Sequence, residues 1–405
     1  MTRVIVTGMG CVSSLGMDCI ELEQALFAKE CASDPTEISL FTSKKVVTKV
    51  AAEVKNYAPA SHFSALELKQ LDRYSQFALI ATAEAIKLAK LGDLYSFGTR
   101  AAVVYGSGVG GQTTIEESYK QLHLEGKSRV HPFTVPKLIP CAAASQISMK
   151  YGITGPAFAT TSACASAGHA IAMAAMMIRS NLIDIAIVGG AEACITEGNF
   201  LAWEGLRVLS PDLCRPFSKG RSGLIIGEGA GTLILESEQH CLSRGAQGIA
   251  ELSGIGMSSD AHNLVQPHVN GATSSMQACL EDAKMSPEDI QYINAHGSGT
   301  KQNDLTETQA IHRVFGEHAR RLSVSSTKSQ HGHVLGAGAA IEAIATILAL
   351  TKQTLPATRH YLGPDPACDL DYVINCPRPA SVTAALSNSF AFGGLNTSLA
   401  FNGLI

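Results

Sequence analysis

The chain has 405 residues, 46% of them hydrophobic and only 16% charged, which excludes disorder as its main state and exceeds what one core usually organises. A formal charge of −4, from 35 acidic and 31 basic residues, removes the broad basic face that nucleic-acid binding by counterion release would need. The apolar content reads as short runs broken by Gly, Ser, Thr or His, with none expected to reach the eighteen or so residues of a membrane span, and MTRVIVTGMG lacks the pattern of a secretory signal, so a cytoplasmic enzyme is expected.

In chain order, RVIVTGMG reads as a buried strand ending in a tight turn, and FSALELKQLDRYSQFALIATAEAIKLAKL reads as helical. Strands recur at Ala101, Ala157 and Asp184. After about residue 250 the style repeats with IAELSGIGMSSDA, IQYINAHGSG, LSVSSTK and VTAALSNSFAFGG. Strand, helix, strand in this rhythm means α/β with largely parallel pairing. RVIVTGMGCVSS and IAELSGIGMSSD are alike enough to suggest an internal duplication, with halves 1–250 and 251–405. Two segments, ASAGHAIAMAAMMIRS and VLGAGAAIEAIATILALTK, are apolar nearly all round, as buried central helices would be.

Eleven cysteines are scattered with no CxxC pair, so most read as small buried hydrophobes. Cys164, in TTSACASAGHA, stands where a strand meets the first turn of a buried helix. There the helix dipole and free N–H groups favour the thiolate and could form an oxyanion hole, although a packed thiol is the plain alternative. His296 ends an apolar strand in YINAHGSGT, and Lys328, His331 and His333 share the turn in VSSTKSQHGHVLGAG. Two turns with His among Gly and hydroxyls, each after a buried strand, point to an active site. In NSFAFGGLN, Phe390 and Phe392 beside Gly393 and Gly394 form either a mobile plug or a packed hairpin. No ligand spacing for zinc and no dinucleotide fingerprint is found, so neither metal nor cofactor is expected.

Together TSACASAGHA, VGGAEA, CRPFSKGRSGLIIGEGAG, NAHGSGT, SSTKSQHGHVLGAG and NSFAFGG closely resemble the elongating β-ketoacyl-acyl-carrier-protein synthases of the synthase II type, from Val4 to the C-terminus. The resemblance implies a thiolase fold, five α-β-α-β-α layers from two similar halves, paired as a dimer. It implies Cys164 as acyl-accepting nucleophile, His296 and His333 as catalytic histidines, and Lys328 and Glu342 as their supporting network. The oxyanion would sit between the N–H groups of Cys164 and Phe392, with Phe390, Gly393 and Gly394 in the gating loop. Ser298 and Thr300 would contact the phosphopantetheine arm. Val109, Thr134 and Trp203 would line the acyl pocket, where Trp203, the only Trp, is either core packing or a stacking surface for a flat chain.

The chain departs from the fatty-acid pattern at Ser218 and Ser222 (usually Asp), Ala391 (usually Gly) and Leu395 (usually Thr). Ala391 is therefore expected to alter the gating loop. The block LAWEGLRVLSPDLCRPFSKGRSG looks more like nodulation-factor and aryl-polyene ketosynthases, which suggests a polyene-type acyl pathway with ordinary fatty-acid elongation second. A non-enzymatic chain-length factor, a Cys-His hydrolase and a degradative thiolase are the other readings. Cys164 with two histidines argues against the first, and the absence of a second Cys in the base position argues against the last. The implied partner is an acidic acyl carrier protein, docking at Lys69, Lys127, Arg129 and Arg207, which are otherwise ordinary surface charge. The dimer would be homomeric or include a chain-length factor.

Overall fold

The computed structural model describes residues 2–30, 34–91 and 98–404. Eleven strands form the main sheet: β1 (Val4–Val12), β2 (Ala101–Gly106), β3 (Ala157–Thr160), β4 (Ile185–Glu192), β5 (Gly229–Ser237), β6 (Ala250–Ser259), β7 (Tyr292–Asn294), β8 (Ser323–Ser325), β9 (Asp371–Tyr372), β10 (Ala384–Ala391) and β11 (Leu395–Gly403). Their order is β9-β8-β7-β10-β11-β6-β1-β5-β4-β2-β3.

Read outward from the centre, both sides follow one rule. In β1-β5-β4 each neighbour is antiparallel, and β4-β2-β3 is parallel. On the other side β6-β11-β10 is antiparallel and β10-β7-β8 is parallel. The two sets meet through only two residue pairs, Ile5 with Glu251 and Val6 with Ala250.

Six helices complete the layers: α1 (Arg73–Leu88), α2 (Ala142–Tyr151), α3 (Ser166–Arg179), α4 (Val269–Ala283), α5 (Lys301–Phe315) and α6 (Gly338–Lys352). Helices α1 and α2 cover the first strand set, α4 and α5 lie outside the second, and α3 and α6 pack against strands of both. This is the five-layered thiolase arrangement. The stretch from Phe63 that reads as one helix is broken before α1, because Leu71 is extended and the Asp72 carboxylate caps the Tyr74 N–H at 3.2 Å.

The central layer depends on small residues. A Cβ on Gly168 of α3 would lie 2.2 Å from Thr397 Oγ1 on β11, and one on Gly231 of β5 would lie 2.8 Å from the α6 backbone at Ala340. Residues Leu335–Lys352 reach the length and mean hydropathy, 1.5, of a membrane span, contrary to the reading of the sequence, yet 89% of that window is buried inside the fold. The apolarity matches a helix enclosed by two sheets.

Candidate active site

Cys164 follows β3 in a tight turn. Ala163 adopts φ +49°, a left-handed conformation that costs a non-glycine residue about 1–2 kcal/mol. Ser166, the first residue of α3, holds the turn: its Oγ accepts from the Ser162 N–H at 2.9 Å and donates to the Ala163 carbonyl at 2.7 Å. The turn delivers Cys164 to the start of a helix, buried at 7% exposure.

His333 lies 3.1 Å from Cys164 Sγ through Nε2. The Leu335 N–H donates to His333 Nδ1 at 3.2 Å, so the ring proton resides on Nε2, which points at the sulfur as a donor. The His296 ring stands edge-on to that of His333, centroids 5.4 Å apart. The backbone that carries His296 is clamped by Glu307 of α5, which accepts the His296 and Gly297 N–H groups at 2.8 Å each.

Burial and the Lys328 cation hold both histidines well below their usual pKa, so they are neutral donors or acceptors at physiological pH. Lys328, 1% exposed, is paired with the equally buried Glu342. Burial pushes the Glu342 carboxyl up to about 7 although Lys328 draws it down. Lys328 and Glu342 stand behind the histidines, outside the cavity wall.

The expectation that the helix start makes Cys164 a resting thiolate needs correction. Burial pushes the thiol up to about 12 against the pull of Lys328 and of the Phe392 N–H, which donates to the sulfur. Desolvation outweighs those donors in the unliganded chain. The N–H of Phe392 is thus aimed at the reacting sulfur, where an oxyanion donor belongs.

A cavity of about 240 Å³ opens over this cluster, lined by Cys164, His296, His333, Phe390, Phe392 and Trp203, among others. Ser298 and Thr300 are also in its wall, their hydroxyls 2.9 Å apart. Gly393 and Gly394 adopt φ +81° and +70°, and Gly393 donates to the Leu264 carbonyl at 2.8 Å, tying the gating loop to a loop that sequence reasoning missed. Ala391, expected to alter the gating loop, has φ −104°, ordinary extended backbone that an alanine adopts without strain. Trp203 is stacked on Phe392, centroids 5.7 Å apart and planes at 26°.

Val109 and Thr134 are not brought to this cavity by the single chain. Val109 is 40% exposed, and Thr134 is buried, its hydroxyl donating to the His131 carbonyl at 2.7 Å. Ser218 Oγ accepts the Leu362 N–H at 2.9 Å, and Ser222 Oγ meets Ser210 Oγ at 2.7 Å, so both serines hold loop contacts. Lys69, Lys127, Arg129 and Arg207 are all exposed, Lys127 facing Glu125 at 3.0 Å. His331 points away, its Nε2 on Thr327 Oγ1 at 3.0 Å. Glu192, unassigned from sequence, is fully buried at the end of β4; its only local signal is a carboxylate closing an apolar strand.

Family models for β-ketoacyl synthases match this chain along most of its length, the N-terminal domain over residues 1–240 and the C-terminal domain over 249–362. It is 45% identical over 403 residues to Nodulation protein E of Rhizobium sp. (strain N33), covering 98% of each chain. It is 40% identical over 407 residues to 3-oxoacyl-[acyl-carrier-protein] synthase 2 of Staphylococcus aureus (strain COL), again covering 98% of each. The solved ishigamide ketosynthase/chain length factor superposes with a TM-score of 0.94 at 32% identity over 100% of both chains. The protein belongs to the β-ketoacyl synthase family, as a ketosynthase of the synthase II type.

Proposed function

We propose that the protein condenses an acyl group held on Cys164 with a malonyl-acyl-carrier-protein, releasing CO2 and leaving a β-ketoacyl carrier, in a specialised pathway that builds unsaturated chains. The observation that carries the chemistry is the Leu335 N–H on His333 Nδ1, which makes Nε2 a donor at 3.1 Å from the nucleophile.

In the first half-reaction the Cys164 sulfur attacks the acyl thioester, and its proton ends on the departing pantetheine thiol. The tetrahedral oxyanion is held by the N–H groups of Cys164 and Phe392. In the second, malonyl decarboxylation breaks a C–C bond and puts the electron pair into an enolate, whose oxygen takes Nε2–H donors from His296 and His333. The enolate carbon then attacks acyl-Cys164, expelling the thiolate. Neutral histidines suit this role, because the enolate needs hydrogen bonds and the step needs no proton from a ring. Lys328 and Glu342 act through charge on the histidines. Ser298 and Thr300 receive the pantetheine arm at the cavity wall.

The Trp203–Phe392 stack supports a flat acyl chain, since a conjugated system gains from an aromatic wall where a saturated chain gains only area. Greater identity to Nodulation protein E than to 3-oxoacyl-[acyl-carrier-protein] synthase 2 supports a specialised pathway. Residues 1–250 then form the nucleophile half and 251–405 the histidine half. Val109 and Thr134 act at the acyl pocket of the assembled dimer, homomeric or with a chain-length factor. Lys69, Lys127, Arg129 and Arg207 meet the carrier protein. Competition between a conjugated dienoyl carrier and a saturated carrier of equal length tests the finer reading. Preference for the dienoyl chain supports it, and preference for the saturated chain favours ordinary fatty-acid elongation.

A further inference from the structure

Glu192 is fully buried and no cation pairs with it among the described residues. Its two oxygens are instead filled by neutral donors from two distant segments. Oε1 takes the Ser107 hydroxyl at 3.0 Å and the Val109 N–H at 3.4 Å. Oε2 takes the Gly108 N–H at 2.7 Å and the Gly336 N–H at 2.9 Å. Such a carboxylate is costly to bury, and its hydrogen bonds to backbone N–H groups are of the strong, charge-assisted kind.

The Gly336 contact bears on the chemistry. Leu335, immediately before it, has φ +43°, a conformation that a leucine adopts only when its surroundings hold it there. In this conformation its N–H reaches His333 Nδ1. A Cβ on Gly336 would lie 2.5 Å from Glu192 Oε2 and 2.2 Å from the Gly108 nitrogen, so the turn is seated directly on the Glu192 cradle.

We propose that Glu192 is a positioning residue for decarboxylation: by gripping the Gly336 N–H it holds Leu335 in its strained turn, and so keeps the His333 proton on Nε2. The same carboxylate fixes the Ser107–Val109 loop, so the loop and the His333 turn move as one unit. This rests on the two-histidine reading of the enolate step given above. Glu192→Gln keeps the size but removes the charge, so the bonds to the Gly108 and Gly336 N–H groups lose their charge-assisted strength, and they are broken outright where the NH2 group faces them.

The test compares two half-reactions in the full-length protein: transfer of an acyl group from acyl carrier protein to Cys164, and decarboxylation of malonyl carrier protein. E192Q is expected to lose roughly 10- to 100-fold in decarboxylation, the scale of one misaimed enolate donor, while acylation of Cys164 changes less than about threefold. Glu192→Asp, which keeps both acceptors but withdraws them by one methylene, is expected to show the same selective loss in smaller measure, and it serves if E192Q does not fold. Parallel losses in both half-reactions, or no loss in either, would overturn the assignment. Failure of the wild-type protein to decarboxylate malonyl carrier protein would instead overturn the condensation reading itself.

Discussion

Replacing Lys328 by Met removes one member of a buried ion pair whose partners are each 1% exposed. Stranding the other charge in such a place costs about 3–5 kcal/mol. Glu342 has an escape: its carboxyl, pushed up by burial to about 7, can take a proton. The folded chain therefore holds that proton at pH values where an unfolded carboxyl, ionising near 4.3, has lost it. Wild-type stability from this group falls as pH rises from about 4.3 to about 7 and then levels off. Without Lys328 nothing draws the Glu342 pKa down, so in the variant the fall continues above pH 7. The gap between wild type and K328M should thus be small near pH 5 and approach the full figure of about 3–5 kcal/mol near pH 8. Denaturant titration at both pH values measures it. K328M/E342Q should recover most of the loss at pH 8, because no stranded charge remains. A gap of equal size at both pH values, or a double variant no better than the single one, would refute the reasoning. The same cation lowers the pKa of His296 and His333, so the acid limb of activity in K328M should shift to higher pH.

Alkylation of Cys164 by iodoacetamide, followed by mass spectrometry, should rise about tenfold per pH unit from pH 7 to 9, since the thiol is pushed up to about 12; a plateau in that range would mean a resting thiolate. Trp203→Ala removes a ring stack worth about 0.5–1.5 kcal/mol, and should weaken selection of a conjugated over a saturated acyl carrier by roughly 2- to 12-fold; unchanged selectivity would make Trp203 plain packing. Arg207→Glu should raise the apparent KM for carrier-bound substrate with kcat little changed, and unaltered kinetics would take Arg207 out of the docking face.

Local order explains what could be read from the chain. Cys164, His296 and His333 each follow a short strand within a turn of Gly and small hydroxyl residues, so their neighbours in sequence announce them. The apolar segments around Ala170 and Ile344 are buried helices because polar residues are few in them and the one carboxylate, Glu342, is paired inside the fold. What escaped was non-local. Glu192 gathers donors from residues 107–109 and 336, which no spacing reveals. The state of the Cys164 thiol depends on how deeply the fold buries it, a quantity that a helix start alone does not convey. Ala391 stands where a Gly is usual, but its extended backbone needs no glycine. The stretch Leu335–Lys352 has the length of a membrane span because the turn at Leu335 runs on into α6, yet it lies inside the fold.

The central claim, that Cys164 and the two histidines carry out a decarboxylative condensation, meets its most direct test in the intact mass of the carrier protein. Incubation of the enzyme with an acyl carrier and malonyl carrier protein should yield a β-ketoacyl carrier, heavier than the acyl carrier by one C2H2O unit, with CO2 released and no product from Cys164→Ala. Free fatty acid without a condensed carrier, or condensed product from the Cys164→Ala enzyme, would contradict it.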